Sequence, residues 1–280
     1  MIFWGGVLLA VFVLYNSVQA LRHSLFRGPF VGVIHVEGVI LQSDDIVAFA
    51  DELRLDSAVK AVVVRINSPG GGVAPSQEIY MAVKRLADAK PVVVSMSSMA
   101  ASGGYYIAVA GKEIYAMPST LTASIGVKLQ VPNAEELMRS IGLSSKTLVT
   151  GPFKDSGTYA REMTPKEEAY FQDLIGNMYD EFIKAVAQGR RLSEDEVRSL
   201  ADGRAMTGRQ AMEAGLVDNL GDRHAAFKRA AELGGMSKDA PPELLEGPVP
   251  PDSWVRDLFE SMLRWSAQGR ADVQQPQFFY

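Results

Sequence analysis

The chain has 280 residues, 47% of them hydrophobic and 22% charged, a balance that supports a substantial core and excludes disorder throughout. Its 28 basic and 33 acidic residues leave a net charge of −5, which makes no electrostatic case for a nucleic-acid partner. Cysteine is absent and the only histidines are His23, His35 and His224, so a thiol nucleophile, a thiolate metal site and a disulfide framework are excluded. A histidine-based triad or metal centre would have to be built from those three.

From Met1 to Leu21 the chain is almost wholly apolar until Asn16, Ser17 and Gln19, a length that can cross a bilayer as a helix. We read residues 1–27 as a single-pass membrane anchor with its linker. Two other readings compete. Val18-Gln19-Ala20 resembles a signal-peptide cleavage site, although the basic region that should precede it is missing, and a buried core helix would need a polar face that this segment lacks. Arg22 and Arg27 follow the span, so the positive-inside rule alone would leave the rest of the chain in the cytoplasm.

After Gly28-Pro29 the pattern changes. Residues 30–36 read as a buried strand in which His35 is a strand residue rather than a ligand. Ile46, Val47, Phe49, Ala50 and Leu53 then share one face of a helix over residues 44–55, and a second apolar strand follows at 61–66. A helix over 75–87 leads to a third strand at 91–96. Strand, helix, strand, repeated without a fixed sequence period, predicts an α/β fold on a parallel sheet.

Two segments of this unit carry chemistry. Asn67-Ser-Pro-Gly-Gly-Gly72 reads as a loop of bare backbone N–H groups, the surface that a phosphate cradle or an oxyanion hole requires. No Gly-Lys-Ser/Thr follows and Gly-x-Gly-x-x-Gly is not matched, so the oxyanion hole fits better; a flexible loop is the plain alternative. Met99-Ala-Ala-Ser-Gly-Gly-Tyr-Tyr106 places Ser102 among small residues where a strand gives way to a helix, which is how a fold presents a nucleophile, or simply how a helix is capped against a sheet. In parallel sheets such loops gather at the carboxyl ends of the strands. With histidine so scarce, the natural base for Ser102 is a lysine whose neutral form is populated. Lys154 follows an expected short strand at 147–150 and Gly151-Pro-Phe; chain order alone does not choose it over Lys112 or Lys128.

Asn67-Ser-Pro-Gly-Gly-Gly, Met99-Ala-Ala-Ser-Gly-Gly-Tyr-Tyr, Thr122-Ala-Ser-Ile-Gly-Val127 and Gly151-Pro-Phe-Lys-Asp, in this order, resemble the short-form signal peptide peptidase A family of Ser-Lys membrane peptidases over residues 30–220. The resemblance implies a fold related to the Clp protease and crotonase superfamily, Ser102 as nucleophile, Lys154 as general base and an oxyanion hole in the 69–72 loop. We assign its donors to Gly71 and Gly103. Ser124 is a candidate for orienting Lys154, with a backbone-satisfied serine as the alternative. Val73, Met99 and Ile125 are candidates for a substrate pocket, core packing being their ordinary role. Gly203-Arg-Ala-Met-Thr-Gly-Arg-Gln-Ala-Met-Glu-Ala-Gly-Leu-Val-Asp218 is similar to a segment shared across the superfamily. Ala123 stands where the family pattern leads us to expect glycine. No metal and no cofactor is expected. The implied partners are extended peptides such as signal-peptide remnants, the membrane and further copies of the chain, with the catalytic domain outside the cytoplasm. A crotonase-type acyl-CoA enzyme and an inactive membrane scaffold of the same fold are the alternative functions.

The remaining chain reads as scaffold. Thr164-Pro-Lys-Glu167 is a capping box opening a helix with a stripe from Tyr170 through Phe171, Leu174, Ile175, Met178, Tyr179, Phe182 and Ile183 to Val186. Ser193 with Glu196, and Thr207 with Gln210, open two more helices. We expect the peptidase domain to occupy residues 28–235. Residues 236–280 then form a linker, an amphipathic helix marked by Trp254, Val255, Leu258, Phe259, Met262 and Trp265, and a loose tail.

Overall fold

The computed structural model describes residues 29–237, 243–248 and 278–279. The expected membrane anchor and the expected amphipathic helix lie outside the described residues, among which no helix is long and apolar enough to cross a membrane.

Valine-rich runs form the centre of the fold. β1 (Phe30–Ile40), β2 (Val59–Gly71) and β3 (Val92–Ala101) lie parallel, with Ile34 opposite Val64 and Val64 opposite Val94. Both faces of a parallel sheet are covered by its crossover helices, so its strands are apolar on both sides. Ile34, Val64 and Val94 face one core, while Val31, Val33, Ala61, Val63 and Val93 face the other. The first core takes Ala50 and Leu53 of α1 (Asp44–Leu55) and Ile79, Val83 and Leu86 of α2 (Val73–Ala89). The second is closed by Ala226, Phe227, Ala230 and Ala231 of α8 (Arg223–Leu233). The three expected strands and the two expected helices between them are present, whereas α8 is an element the sequence reading did not expect. β2 and β3 run on to Gly71 and Ala101, beyond the apolar runs that announced them.

The way β3 changes partners determines what stands near its end. β4 (Glu113–Ala116) pairs with it at Val93–Ser95, whereas β5 (Leu121–Ala123) takes over at Met99–Ala101. Both are parallel to it. β7 (Ala205–Thr207) runs antiparallel to β5, β8 (Asn219–Leu220) pairs with β4, and β9 (Glu243–Gly247) joins the far edge parallel to β1. Among the described residues the path is β7-β5-β3-β2-β1-β9. α3 (Gly103–Ala108) starts directly after Ser102 and is buried throughout. Its Tyr105 hydroxyl donates to the Leu216 carbonyl at 2.8 Å, and burial pushes that phenol's pKa up.

After β6 (Lys128–Leu129) and α4 (Glu135–Ser140) the chain leaves the core. The expected strand at 147–150 is not formed. Residues 141–150 are all exposed, Leu148 at 87% and Val149 at 45%, and the run has no described neighbour to take its N–H and C=O groups into a ladder. α5 (Pro165–Arg190) opens on the expected capping box between Thr164 and Glu167. Its apolar stripe is buried only in the second half, at Phe182, Ile183 and Val186, while Tyr170 remains 39% exposed. α6 (Glu194–Leu200) and α7 (Gly208–Glu213) also open on their expected capping boxes. Within the stretch read as a loose tail, β10 (Phe278–Phe279) pairs antiparallel with β6.

Candidate active site

Ser102 sits at the carboxyl end of β3 with φ 56° and ψ −120°, a region that residues with a Cβ rarely enter and that costs on the order of 1–3 kcal/mol. The conformation is held from both sides. The Ser102 N–H donates to the Ala123 carbonyl at 2.8 Å, and its own carbonyl accepts from the Tyr106 N–H at 2.9 Å. Tyr106 is anchored in turn between the rings of Tyr80 and Phe182, with both centroid distances 5.0 Å. The serine is 7% exposed, and its hydroxyl makes no hydrogen bond among the described residues.

The glycine segment expected as a loop is the last stretch of β2, with Ile40 opposite Gly71. Gly70 turns the chain at φ 98° and donates to the Ser68 hydroxyl at 3.0 Å. Gly71 lies so close to β1 that an added Cβ would stand 2.1 Å from the Ile40 carbonyl oxygen. A Cβ on Gly103 would stand 2.4 Å from Ser76 Oγ and 3.3 Å from the Gly71 nitrogen. The two glycine backbones therefore meet beside Ser102. As the first residue of α3, Gly103 has an N–H with no intrahelical acceptor.

Ser124 is brought to the same edge by β5, because Ala101 is opposite Ala123. Its hydroxyl donates to the Gly203 carbonyl at 3.1 Å and its N–H to the Arg204 carbonyl at 3.1 Å, so the backbone-satisfied reading describes it here. Ala123 and Ser124 both adopt positive φ, 59° and 52°. That explains in physical terms why glycine is expected at 123, since only glycine takes such a conformation without a Cβ penalty. Val73 and Ile125 belong to the main core, and Met99 is half-buried on β3. A cavity of about 760 Å³ lies at the other end of α3, against Val109–Lys112 and Arg190, and does not touch Ser102.

Lys154 is exposed, in a run of turns over 151–157. No described contact joins it to Ser102, and its amine has no hydrogen bond or ion pair among the described residues. Its surroundings are nevertheless ordered by Arg161, which sequence reading left out, acting on residues it had named for other reasons. Arg161 donates to both Glu167 oxygens, at 2.9 and 2.6 Å, and its guanidinium lies 3.6 Å from an Asp155 oxygen. Those hydrogen bonds, with the Thr164 N–H behind them, hold the Glu167 carboxyl well below the usual carboxylate range, so it stays ionised far into acid. Among the described residues no cluster of His, Asp and Glu could hold a metal ion.

The profile of peptidase family S49 matches residues 84–237, more than half of the chain. The chain belongs to peptidase family S49. This is the signal peptide peptidase A grouping that the ordered motifs resemble. The profile of Clp protease matches residues 41–124, in keeping with the mostly parallel α/β sheet. The S49 match contains Ser102, Ser124 and Lys154, whereas Gly71 falls in the Clp match alone. Among relatives, Protease 4 of Salmonella typhi is 38% identical over 234 residues, 78% of this chain and 38% of that protein. Serine protease SPPA, chloroplastic, of Arabidopsis thaliana is 33% identical over 202 residues, 72% of this chain and 30% of that protein. A provisionally named protease of Synechocystis sp. is 45% identical over 179 residues, 64% of this chain and 65% of its own length. The chain thus spans less than two thirds of each of these S49 relatives.

Proposed function

We propose that this S49 protein is a membrane-anchored serine endopeptidase in which Ser102 is the nucleophile and Lys154 the general base, acting on signal-peptide remnants or other membrane-proximal polypeptides. The observation that carries the reading is Ser102 itself, held at positive φ on the end of a parallel strand with the Gly71 and Gly103 backbones packed beside it. Such an arrangement brings a hydroxyl and main-chain donors to the same place at the end of a strand.

In this mechanism the neutral Lys154 amine takes the Ser102 proton as Oγ bonds to the peptide carbonyl carbon. The developing oxyanion is stabilised by the Gly71 and Gly103 N–H groups. Lys154 then protonates the leaving amine as the C–N bond breaks; water, deprotonated by the same amine, bonds to the acyl carbon, the Oγ–C bond breaks and Lys154 returns the proton to Ser102 Oγ. The substrate enters extended and adds to a strand edge, the mode in which main-chain hydrogen bonds bind and side-chain pockets select.

Labelling with a fluorophosphonate probe tests the assignment. We expect Ser102→Ala and Lys154→Ala to lose labelling by at least about 10³-fold. Undiminished labelling of either variant would remove its residue from the site.

The membrane anchor rests on the apolar stretch at residues 1–21, and an extracytoplasmic catalytic domain rests on the family resemblance against the modest charge bias of Arg22 and Arg27. Protease accessibility in intact spheroplasts reads the orientation, and protection of the domain there would reverse it. Self-association is supported by the exposed Leu137, Ile141, Leu143, Leu148 and Val149, an apolar set that a monomer would leave in water. Light scattering should give a mass several times that of one chain, and Leu148→Asp should lower it.

A further inference from the structure

We propose that Arg161 is a positioning residue for Lys154, fixing the 151–158 turns to the start of α5 through Asp155 and Glu167. The inference rests on the reading of Lys154 as the base and adds how that lysine is held.

Within the turns, hydrogen bonding is purely local. The Lys154 N–H donates to the Gly151 carbonyl at 3.1 Å, that of Ser156 to Phe153 at 3.2 Å and that of Thr158 to Asp155 at 3.4 Å. Short, weak turn bonds of this kind set the shape of a segment but not where it stands relative to the sheet. Its position comes from outside. Arg161 reaches back to Asp155, the residue after Lys154, with one nitrogen 3.4 Å from its carbonyl oxygen and 3.6 Å from its carboxylate. The same guanidinium is clamped onto Glu167, whose side chain is only 5% exposed. Glu167 is in turn fixed by the capping box, accepting from the Thr164 N–H at 2.8 Å and hydroxyl at 2.9 Å.

A planar five-donor fork is what allows one side chain to hold a carboxylate bidentately and still reach a second partner; an ammonium offers no such geometry. The lever is short. Asp155 is adjacent to Lys154, so a displacement of the turn moves the amine by a similar distance, and misplacing a catalytic group by about 1 Å can cost about 100-fold in rate. Other groups steady the turn without setting its charge register: the Phe153 ring lies 5.1 Å from that of Tyr170 and 5.2 Å from the Lys166 amine, and the Ala134 N–H donates to the Tyr159 carbonyl at 2.7 Å. The charged groups around the turn are Asp155, Arg161, Lys166 and Glu167, with Glu135 accepting from the Glu162 N–H.

The test uses the full chain and a fluorogenic peptide cleaved by wild type. Arg161→Ala and Asp155→Asn should each lower kcat about 10- to 100-fold with KM within about twofold. Arg161→Lys should recover only part of the loss. Asp155→Asn leaves the Arg161–Glu167 clamp and the α5 cap intact, so it tests positioning even where Arg161→Ala folds poorly. Folded Asp155→Asn and Arg161→Ala with wild-type kcat would overturn the proposal. Lys154→Ala separates the two levels: if it is inactive while both other variants are normal, the positioning role alone fails, and if it is fully active the base assignment fails with it.

Discussion

Ser102→Gly is expected to melt about 2–4 °C above the wild type while losing all covalent labelling. At φ 56° and ψ −120° the serine Cβ crowds its own backbone, a cost of about 1–3 kcal/mol that glycine does not bear. Part of the gain is offset, because a glycine loses about 0.5–1 kcal/mol more in conformational entropy on folding. A net gain near 1 kcal/mol corresponds to about 2–4 °C for a domain of this size. Ser102→Ala is the necessary companion. It removes the same hydroxyl, which has no described hydrogen-bond partner, but keeps the Cβ and so keeps the strain. Both variants should be equally dead, and only the glycine variant should be more stable. Thermal melts of the three proteins, read beside probe labelling, separate strain from chemistry. A Ser102→Gly protein no more stable than Ser102→Ala would show that the turn is relaxed, and the strongest structural argument for a presented nucleophile would go with it.

How far the site is legible from sequence depends on whether its cause is local. The crossover units are legible because Val31, Val33, Val62, Val64, Val92 and Val94 announce strands through their own β-branched shape and burial on both faces. The three capping boxes are legible because each is a four-residue pattern whose partners are fixed by helix geometry. Positive φ at Ser102, Ala123 and Ser124 is not legible from composition, since glycine is the usual sign of that conformation and none stands at these positions; tertiary hydrogen bonds such as Ser102 N–H to Ala123 hold the turn instead. The apolar run at 147–150 misleads because a strand is defined by its neighbour, and no pattern within the run says whether one exists. Arg161 stands six residues from Asp155 and six from Glu167 and carries no signal of its own. Its role comes from reaching Asp155 and Glu167 on either side, a geometry that appears only once the turn is folded against α5.

The same distinction between local and tertiary cause predicts opposite outcomes for two glycines. Gly71→Ala should lower stability by about 3 kcal/mol, or roughly 6–12 °C in melting temperature. Its Cβ would stand 2.1 Å from the Ile40 carbonyl oxygen, 2.5 Å from the Ile40 nitrogen and 2.7 Å from its carbonyl carbon. All three are backbone atoms of the adjacent strand, so no rotamer change relieves the clash, and β1 and β2 must separate where Gly72 N–H donates to Ile40 at 2.7 Å. Gly103→Ala meets a softer obstacle, Ser76 Oγ at 2.4 Å, a hydroxyl that can rotate away at the cost of its 2.8 Å bond to the Gly72 carbonyl. That variant should fold with a loss near 1 kcal/mol, yet its methyl would stand 3.3 Å from the Gly71 nitrogen, one of the two donors assigned to the oxyanion. Labelling should therefore fall by about 10²–10³-fold, the usual effect of losing such a donor. Gly103→Ala combined with Ser76→Gly removes the clash and should restore the melting temperature without restoring labelling. Wild-type labelling by either Gly103 variant would place the oxyanion elsewhere, because a site built on these two donors cannot hold both a methyl group and the oxygen it is meant to stabilise.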